Sequence, residues 1–206
     1  MDEGRVPWPV ILSCGPVTLR PLRRRDARDW QSVRSVNAHW LGPWEATQPE
    51  GAGPATTFGE MVRAGNRAAA QGRMFPFAID VDGRLRGQLT VGGIQWGSLR
   101  SGHVGYWVDE RVAGRGVTPT AVAMAADHCF GVVGLHRLEV NIRPENRASL
   151  RVVEKLDFRS EGLRRRFLHI DGAWRDHLSF ALTLEEWPPG GLLGRLRTKG
   201  WIVAGA

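Results

Sequence analysis

The chain has 206 residues, 42% hydrophobic and 24% charged, the proportions of one folded domain with a sizeable core. Its formal charge of +7 is carried largely by arginine, Lys155 and Lys199 being the only lysines; the surplus favours anionic partners such as nucleotides or RNA, or else reflects a biased genome composition. Two cysteines, Cys14 and Cys129, exclude a disulfide framework and lie in no metal-type spacing, and no apolar run reaches membrane-spanning length.

Met1 to Pro9 is broken by charge and proline, unlike a secretory leader, so the cytoplasm is the expected compartment. Residues 1–16 read as an N-terminal extension, 17–187 as the folded domain and 188–206 as a basic tail. Val17 to Leu22 predicts a strand, and Ala27, Trp30, Val33 and Val36 or Asn37 recur at helical spacing within Arg24 to His39. Trp40 to Pro54, mixing Trp, Gly and Pro, predicts a loop on the substrate side. Thr56 or Thr57 caps a helix ending near Gln71, with Glu60 in capping-box register to Thr57.

Strands follow at Met74 to Val81, Arg84 to Val91 and His103 to Val108, the first two joined by the hairpin signal Asp82-Gly83. The pattern then becomes a Gly-rich turn, a helix from Pro119 to Phe130, a strand from Arg137 to Ile142 and a helix from Arg147 to Leu156. Cys129 falls on the apolar helix and is assigned to core packing. Two closing strands, Arg159 to Ile170 and Trp174 to Leu184, meet at a second hairpin signal, Asp171-Gly172. In the tail, Leu192, Leu193, Leu196 and Trp201 among Arg195, Arg197 and Lys199 predict a weak basic amphipathic helix packed on the domain.

The segment Arg111-Val112-Ala113-Gly114-Arg115-Gly116 joins a strand to a helix that Thr118 would cap, with Pro119 as its first residue. Its glycines let the backbone curl with N–H groups inward, and the helix beyond adds free amides and the positive end of its dipole, an arrangement suited to diphosphate. By itself the pattern is also that of a plain strand-to-helix turn. No dinucleotide-fold or P-loop glycine pattern stands beside it. One strand later comes "RPENRASLRVVEKLDF", residues 143–158. Together, in this order, the two segments resemble the GNAT superfamily of acyltransferases, and the second resembles its ribosomal-protein alanine N-acetyltransferase, or Rim-type, branch.

The resemblance covers about residues 17 to 185 and implies one α/β (α+β) GNAT domain. It implies a mixed, mostly antiparallel sheet of roughly six or seven strands, splayed between strands 4 and 5, with about four flanking helices. It implies acetyl-CoA as cosubstrate and no metal. Tyr106, Trp107 and Val108 would pair with the pantetheine arm; the amides of Arg111, Val112, Ala113, Gly114, Arg115, Gly116, Val117 and the neighbouring Thr118 would hold pyrophosphate; Asn146 and Ser149 would contact the cofactor. Asp157 stands where the family usually has Gly, in a turn whose left-handed backbone Asp tolerates.

Acetyl transfer needs a neutral amine, an oxyanion donor and a proton for the departing thiolate. A strand amide near Tyr106 to Val108 is the expected donor and Ser149 the proton source, unless Ser149 only bonds a helical carbonyl or the thioester. Glu139, which matches a recurrent family Glu, His169 and Asp176 are candidate bases, each also explicable as a structural partner. Arg164, Arg165 and Arg166 alternate along a strand, as a solvated face or an anion contact. The leading acceptor is the N-terminus of a ribosomal protein beginning with Ala or another small residue, with ribosome association, no membrane, and a monomer or homodimer. The alternatives are a small-amine acetyltransferase acting on an antibiotic or polyamine, and an idle acyl-CoA- or RNA-binding module.

Overall fold

Alternation of apolar and polar residues sets the middle of the sheet. β3 (Phe75–Val81) is buried at all but its last position, whereas β4 (Arg84–Gln95) alternates over most of its length. Asp82 and Gly83 between them have φ of 50° and 72°, the left-handed pair that a two-residue hairpin of matching twist requires. The structure, a computed structural model, describes residues 8–49 and 56–202. Residues 1–7 of the N-terminal extension, 50–54 of the Trp40–Pro54 loop and 203–206 of the tail lie outside the described residues.

With β1 (Leu12–Cys14), β2 (Val17–Pro21), β5 (Ser101–Val108), β6 (Arg137–Ile142), β7 (Arg159–Ile170) and β8 (Ala173–Thr183), an eight-stranded sheet runs in the order β1-β2-β3-β4-β5-β6-β8-β7. Among the described residues only β5 and β6 pair in parallel. The extra strand comes from the expected extension: Leu12–Cys14 is three residues long, too short to display a period, yet it pairs fully with Val17–Leu19. It moves the splay, expected between strands 4 and 5, to between β5 and β6.

These two strands pair only over Ser101–His103 and Arg137–Glu139. Beyond that point Tyr106, Trp107 and Val108 keep β4 as a neighbour on one edge and have no strand on the other. A wedge opens there.

Among the described residues six α-helices flank the sheet rather than about four: α1 (Ala27–Val36), α2 (Ala38–Leu41), α3 (Phe58–Ala70), α4 (Val117–His128), α5 (Arg147–Lys155) and α6 (Gly191–Thr198). The first predicted helix breaks at Asn37, a buried side chain that gives its Nδ2 to the Val33 carbonyl at 2.8 Å and accepts the Glu110 amide at 2.9 Å. Thr57 caps α3, and Glu60 returns the bond to the Thr57 amide at 2.9 Å, as the capping-box register predicts.

α4 is apolar all round, with Ala121, Ala123, Ala125 and Ala126 essentially sealed, and runs through the core before a π turn at Cys129–Val133. Burial pushes the Cys129 thiol up to about 12, in keeping with packing rather than reactivity. The tail helix docks on α4: Leu192 and Leu196 are fully buried, and Asp127 accepts the amides of Leu192 and Leu193 at 2.7 and 3.0 Å.

Candidate active site

A cavity of about 840 Å³ lies in the wedge. One wall is the turn after β5. Asp109, completely buried, begins that turn by accepting the Arg111 amide at 3.1 Å, the Arg111 guanidinium at 2.6 Å, Arg86 at 3.0 Å and Asn37 at 3.3 Å. Burial alone would raise its pKa; the hydrogen bonds from Arg111 and Asn37 outweigh it and hold the carboxyl at about 2.

This corrects the expected donor set. The amides of Arg111, Val112 and Ala113 are spent on Asp109 and on the Asp109 and Glu110 carbonyls, so they are not available to a phosphate. Among the described residues, those of Gly114, Arg115, Gly116, Val117 and Thr118 have no acceptor. Gly114 and Gly116 have φ of 75° and 82°, which is why the chain can turn these groups toward the cavity.

The start of α4 is corrected as well. Thr118 is not its cap and Pro119 not its first residue: the helix begins at Val117 with left-handed Gly116 before it and no side-chain cap. Buried Val117 draws the first turn earlier, and Pro119, lacking an N–H, leaves none to satisfy there.

The second wall is α5. Asn146 caps it, its Oδ1 accepting the Ser149 amide at 3.1 Å, while its Nδ2 has no partner among the described residues. Asn146 and Ser149 both line the cavity, as do Tyr106, Trp107 and Val108 from β5. The Tyr106 hydroxyl is buried without a hydrogen bond of good geometry. Burial raises its pKa far above the usual phenol range, and the Ser149 hydroxyl beside it only tempers the rise. α5 ends at the left-handed Asp157 (φ 55°), and that carboxylate reaches Lys199 at 2.9 Å and Arg195 at 3.3 Å, fastening the tail to the helix.

The opposing wall comes from the Trp40–Ala46 segment. Arg34 packs against both Trp30 and Trp107, 4.8 and 5.5 Å from their ring centres, and gives a hydrogen bond of 2.5 Å to Glu45. Arg143 lies over Trp44 and donates to the Pro43 carbonyl at 2.8 Å. Ala46 bridges Ile170, and the Thr47 amide donates to the His169 carbonyl at 2.9 Å. The sequence places a substrate-side loop here, but not its anchors on Arg143, His169 and Ile170, which join residues far apart in the chain.

The remaining candidates stand elsewhere. Glu139 does not line the cavity; its carboxylate accepts from Arg137 and Arg164, both at 2.9 Å. His169 pairs its Nδ1 with the Thr47 hydroxyl at 2.7 Å, latching the acceptor loop from outside. Asp176 accepts the Arg166 amide at 2.8 Å. The expected alternation of Arg164 to Arg166 is broken by a register shift between Arg164 and Leu168, with Arg166 left-handed at φ 48°. Among the described residues no cluster of three or more His, Cys, Asp or Glu could hold a metal ion, and no helix is long and apolar enough to cross a membrane.

Residues 17–159 match the acetyltransferase (GNAT) domain family. The chain is 30% identical to the ribosomal protein uS5-alanine N-acetyltransferase of Escherichia coli over 88% of this chain and 94% of that one. Mycobacterium smegmatis RimJ, solved in complex with CoA-disulfide, superposes with a TM-score of 0.87 at 41% identity, covering 94% of this chain and 96% of that one. The ribosomal-protein-S5-alanine acetyltransferase of Vibrio fischeri gives a TM-score of 0.77 at 26% identity, covering 87% and 100%. On a matching domain and relatives aligned along nearly their whole length, the chain belongs to the GNAT family of acetyltransferases, in its Rim-type branch, and is an acyl-CoA-dependent N-acetyltransferase.

Proposed function

We propose that the protein transfers an acetyl group from acetyl-CoA to the N-terminal α-amino group of a ribosomal protein that begins with alanine or a similarly small residue. One observation carries this: Gly114, Gly116 and Thr118 of the turn with unpaired amides, the strandless edge of Tyr106–Val108, and Trp40, Leu41, Trp44, Glu45 and Ala46 line one cavity. The relative named as a ribosomal protein uS5-alanine N-acetyltransferase supports the acceptor class.

The thioester supplies an activated acetyl group. On the protein side, the amides of Gly114 to Thr118 bind the pyrophosphate, with the Asn146 Nδ2 nearby as a further donor. Amine attack at the carbonyl carbon forms the C–N bond, and a Tyr106–Val108 amide holds the oxyanion, a contact typically worth roughly 3 kcal/mol. The C–S bond then breaks, and the Ser149 hydroxyl relays a proton to the departing sulfur, taking one from solvent in the same step. Glu139 and His169 are engaged outside the cavity and Glu45 is held by Arg34, so the α-amine loses its proton to water. An α-amino group with a pKa near 8 requires little help.

The test is incubation with acetyl-CoA and short peptides beginning with alanine, the same peptides with blocked N-termini, and free polyamines. Mass spectrometry is expected to find one acetyl group, on unblocked peptides only. Turnover of polyamines with no peptide product would replace this acceptor with a small amine.

A further inference from the structure

The hairpin of β7 and β8 carries side chains that the cavity chemistry leaves unused. β6 pairs with β8 only from Leu178 to Thr183, so Ala173 to His177 and the part of β7 facing them project past that strand as a two-stranded ribbon. β7 also ends the strand order, and from Arg159 to Leu168 no strand among the described residues covers its outer edge.

The ribbon exposes large rings and unpaired cations together. Trp174 is 54% exposed and Phe167 37%. A near-perpendicular contact with His169, 5.6 Å between ring centres, occupies at most one face of the indole. Arg165 and Arg166 are exposed, and neither guanidinium has a partner among the described residues. Arg164, by contrast, is tied to Glu139 at 2.9 Å and lies 5.0 Å from the Phe167 ring centre. From Arg164 to Asp176 four arginines stand against two acids, Asp171 and Asp176, and Asp176 already accepts the Arg166 amide at 2.8 Å. Glu161, the next acid along β7, pairs with Arg137 and Arg159. The register shift after Arg164 makes this edge a poor template for a further strand, which argues against an extended peptide as its occupant. Free cations attract phosphates and an open ring face takes an unstacked base, whereas a duplex offers no such base and an acidic peptide no flat π-face.

We infer that this ribbon binds single-stranded RNA, with Arg165 and Arg166 on phosphates and Trp174 against a base. That the strand is RNA rests on the ribosomal acceptor proposed above. Ala46 and Thr47 join the tip of the ribbon to the acceptor wall, so RNA held there lies beside the site that receives the N-terminus.

Fluorescence anisotropy of a short labelled oligouridylate, titrated with the full chain at several salt concentrations, tests this without any acetyl transfer. Wild type is expected to bind at low salt and to weaken as salt rises. The double variant Arg165→Glu, Arg166→Glu should bind about tenfold or more weakly, with the slope of log affinity against log salt shallower by about 1.4. Trp174→Ala should lose about tenfold with the slope unchanged. Arg24→Glu, Arg25→Glu, an exposed pair before α1 toward the other end of the strand order, makes the same charge change and should lose about twofold at most. Thermal melts of all three variants should match wild type, since the substituted side chains are exposed. No binding at low salt, or equal losses for the two arginine pairs, overturns the site. Unchanged affinity in Trp174→Ala with full displacement of RNA by a polyglutamate peptide gives the surface to an acidic protein instead. Tighter binding of the matching oligothymidylate gives it to DNA. A protein that acetylates alanine peptides but binds no RNA sinks this surface alone, and one that does the reverse sinks only the acceptor reading.

Discussion

The two walls of the cavity are built by different physical means. The wall proposed for the carrier comes from two short segments, 114–118 and 145–155, and presents groups that any residue supplies: main-chain N–H, a helix end, a cap. The acceptor wall, Arg34 and Trp40 to Ala46, is held by side chains reaching across the molecule, with Arg34 on Glu45, Arg143 on Trp44 and Pro43, and Ile170 on Ala46. A ligand that is always the same can be read by backbone, and the backbone tolerates drift in side chains. A variable acceptor must be read by side chains, each positioned by a distant partner.

The largest break in this contrast should come from Gly116→Val. A β-branched residue at φ 82° is strained, and its side chain would force the amides out of the cradle. CoA affinity is expected to fall about a hundredfold by titration calorimetry, a loss no single change on the acceptor wall should approach.

Asp109 joins the two walls, since Asn37 and Arg111 both donate to it. Asp109→Asn is expected to cost about 2 kcal/mol in a denaturant melt, because the charged bonds from Arg86 and Arg111 weaken together. The sign of the pH effect follows from a carboxyl held at about 2 against an ordinary 3.8. Its contribution is complete above the ordinary value and disappears as pH falls toward about 2, so wild type should lose the advantage over the variant across that window.

Ser149→Ala sharpens the comparison at the reacting centre. kcat should fall about tenfold while CoA affinity holds, since the capping bond at this position uses the Ser149 amide and not its hydroxyl. A raised KM with unchanged kcat would make the hydroxyl a binding group.

The smallest effect is expected at Glu45→Gln: about a fivefold rise in acceptor KM with CoA binding unchanged, measured by steady-state kinetics at saturating acetyl-CoA. A matching loss of CoA affinity would erase the division of labour between the walls.

Much of the carrier wall was legible in residues 103–158, because turns, caps and helical spacing are local, and local energies leave local patterns. Legibility failed even there in two details. Thr118 has the chemistry of a cap, yet burial of Val117 and the freedom of Gly116 started α4 earlier. The amides of residues 111–113 look as available as those that follow, until Asp109 and Glu110 are seen to take them.

The chain by itself determined seven of the eight strands, both Asp-Gly hairpins, the Thr57 cap, the left-handed Asp157 and the glycine turn that frees the cradle amides, all set by interactions between near neighbours. Tertiary structure alone decided that Leu12–Cys14 joins the sheet, that Glu139 and His169 turn to partners outside the cavity, and that the tail brings Trp201 to Lys155. Those outcomes depend on which distant groups the packed core brings within a few ångströms, and linear spacing carries no such distances.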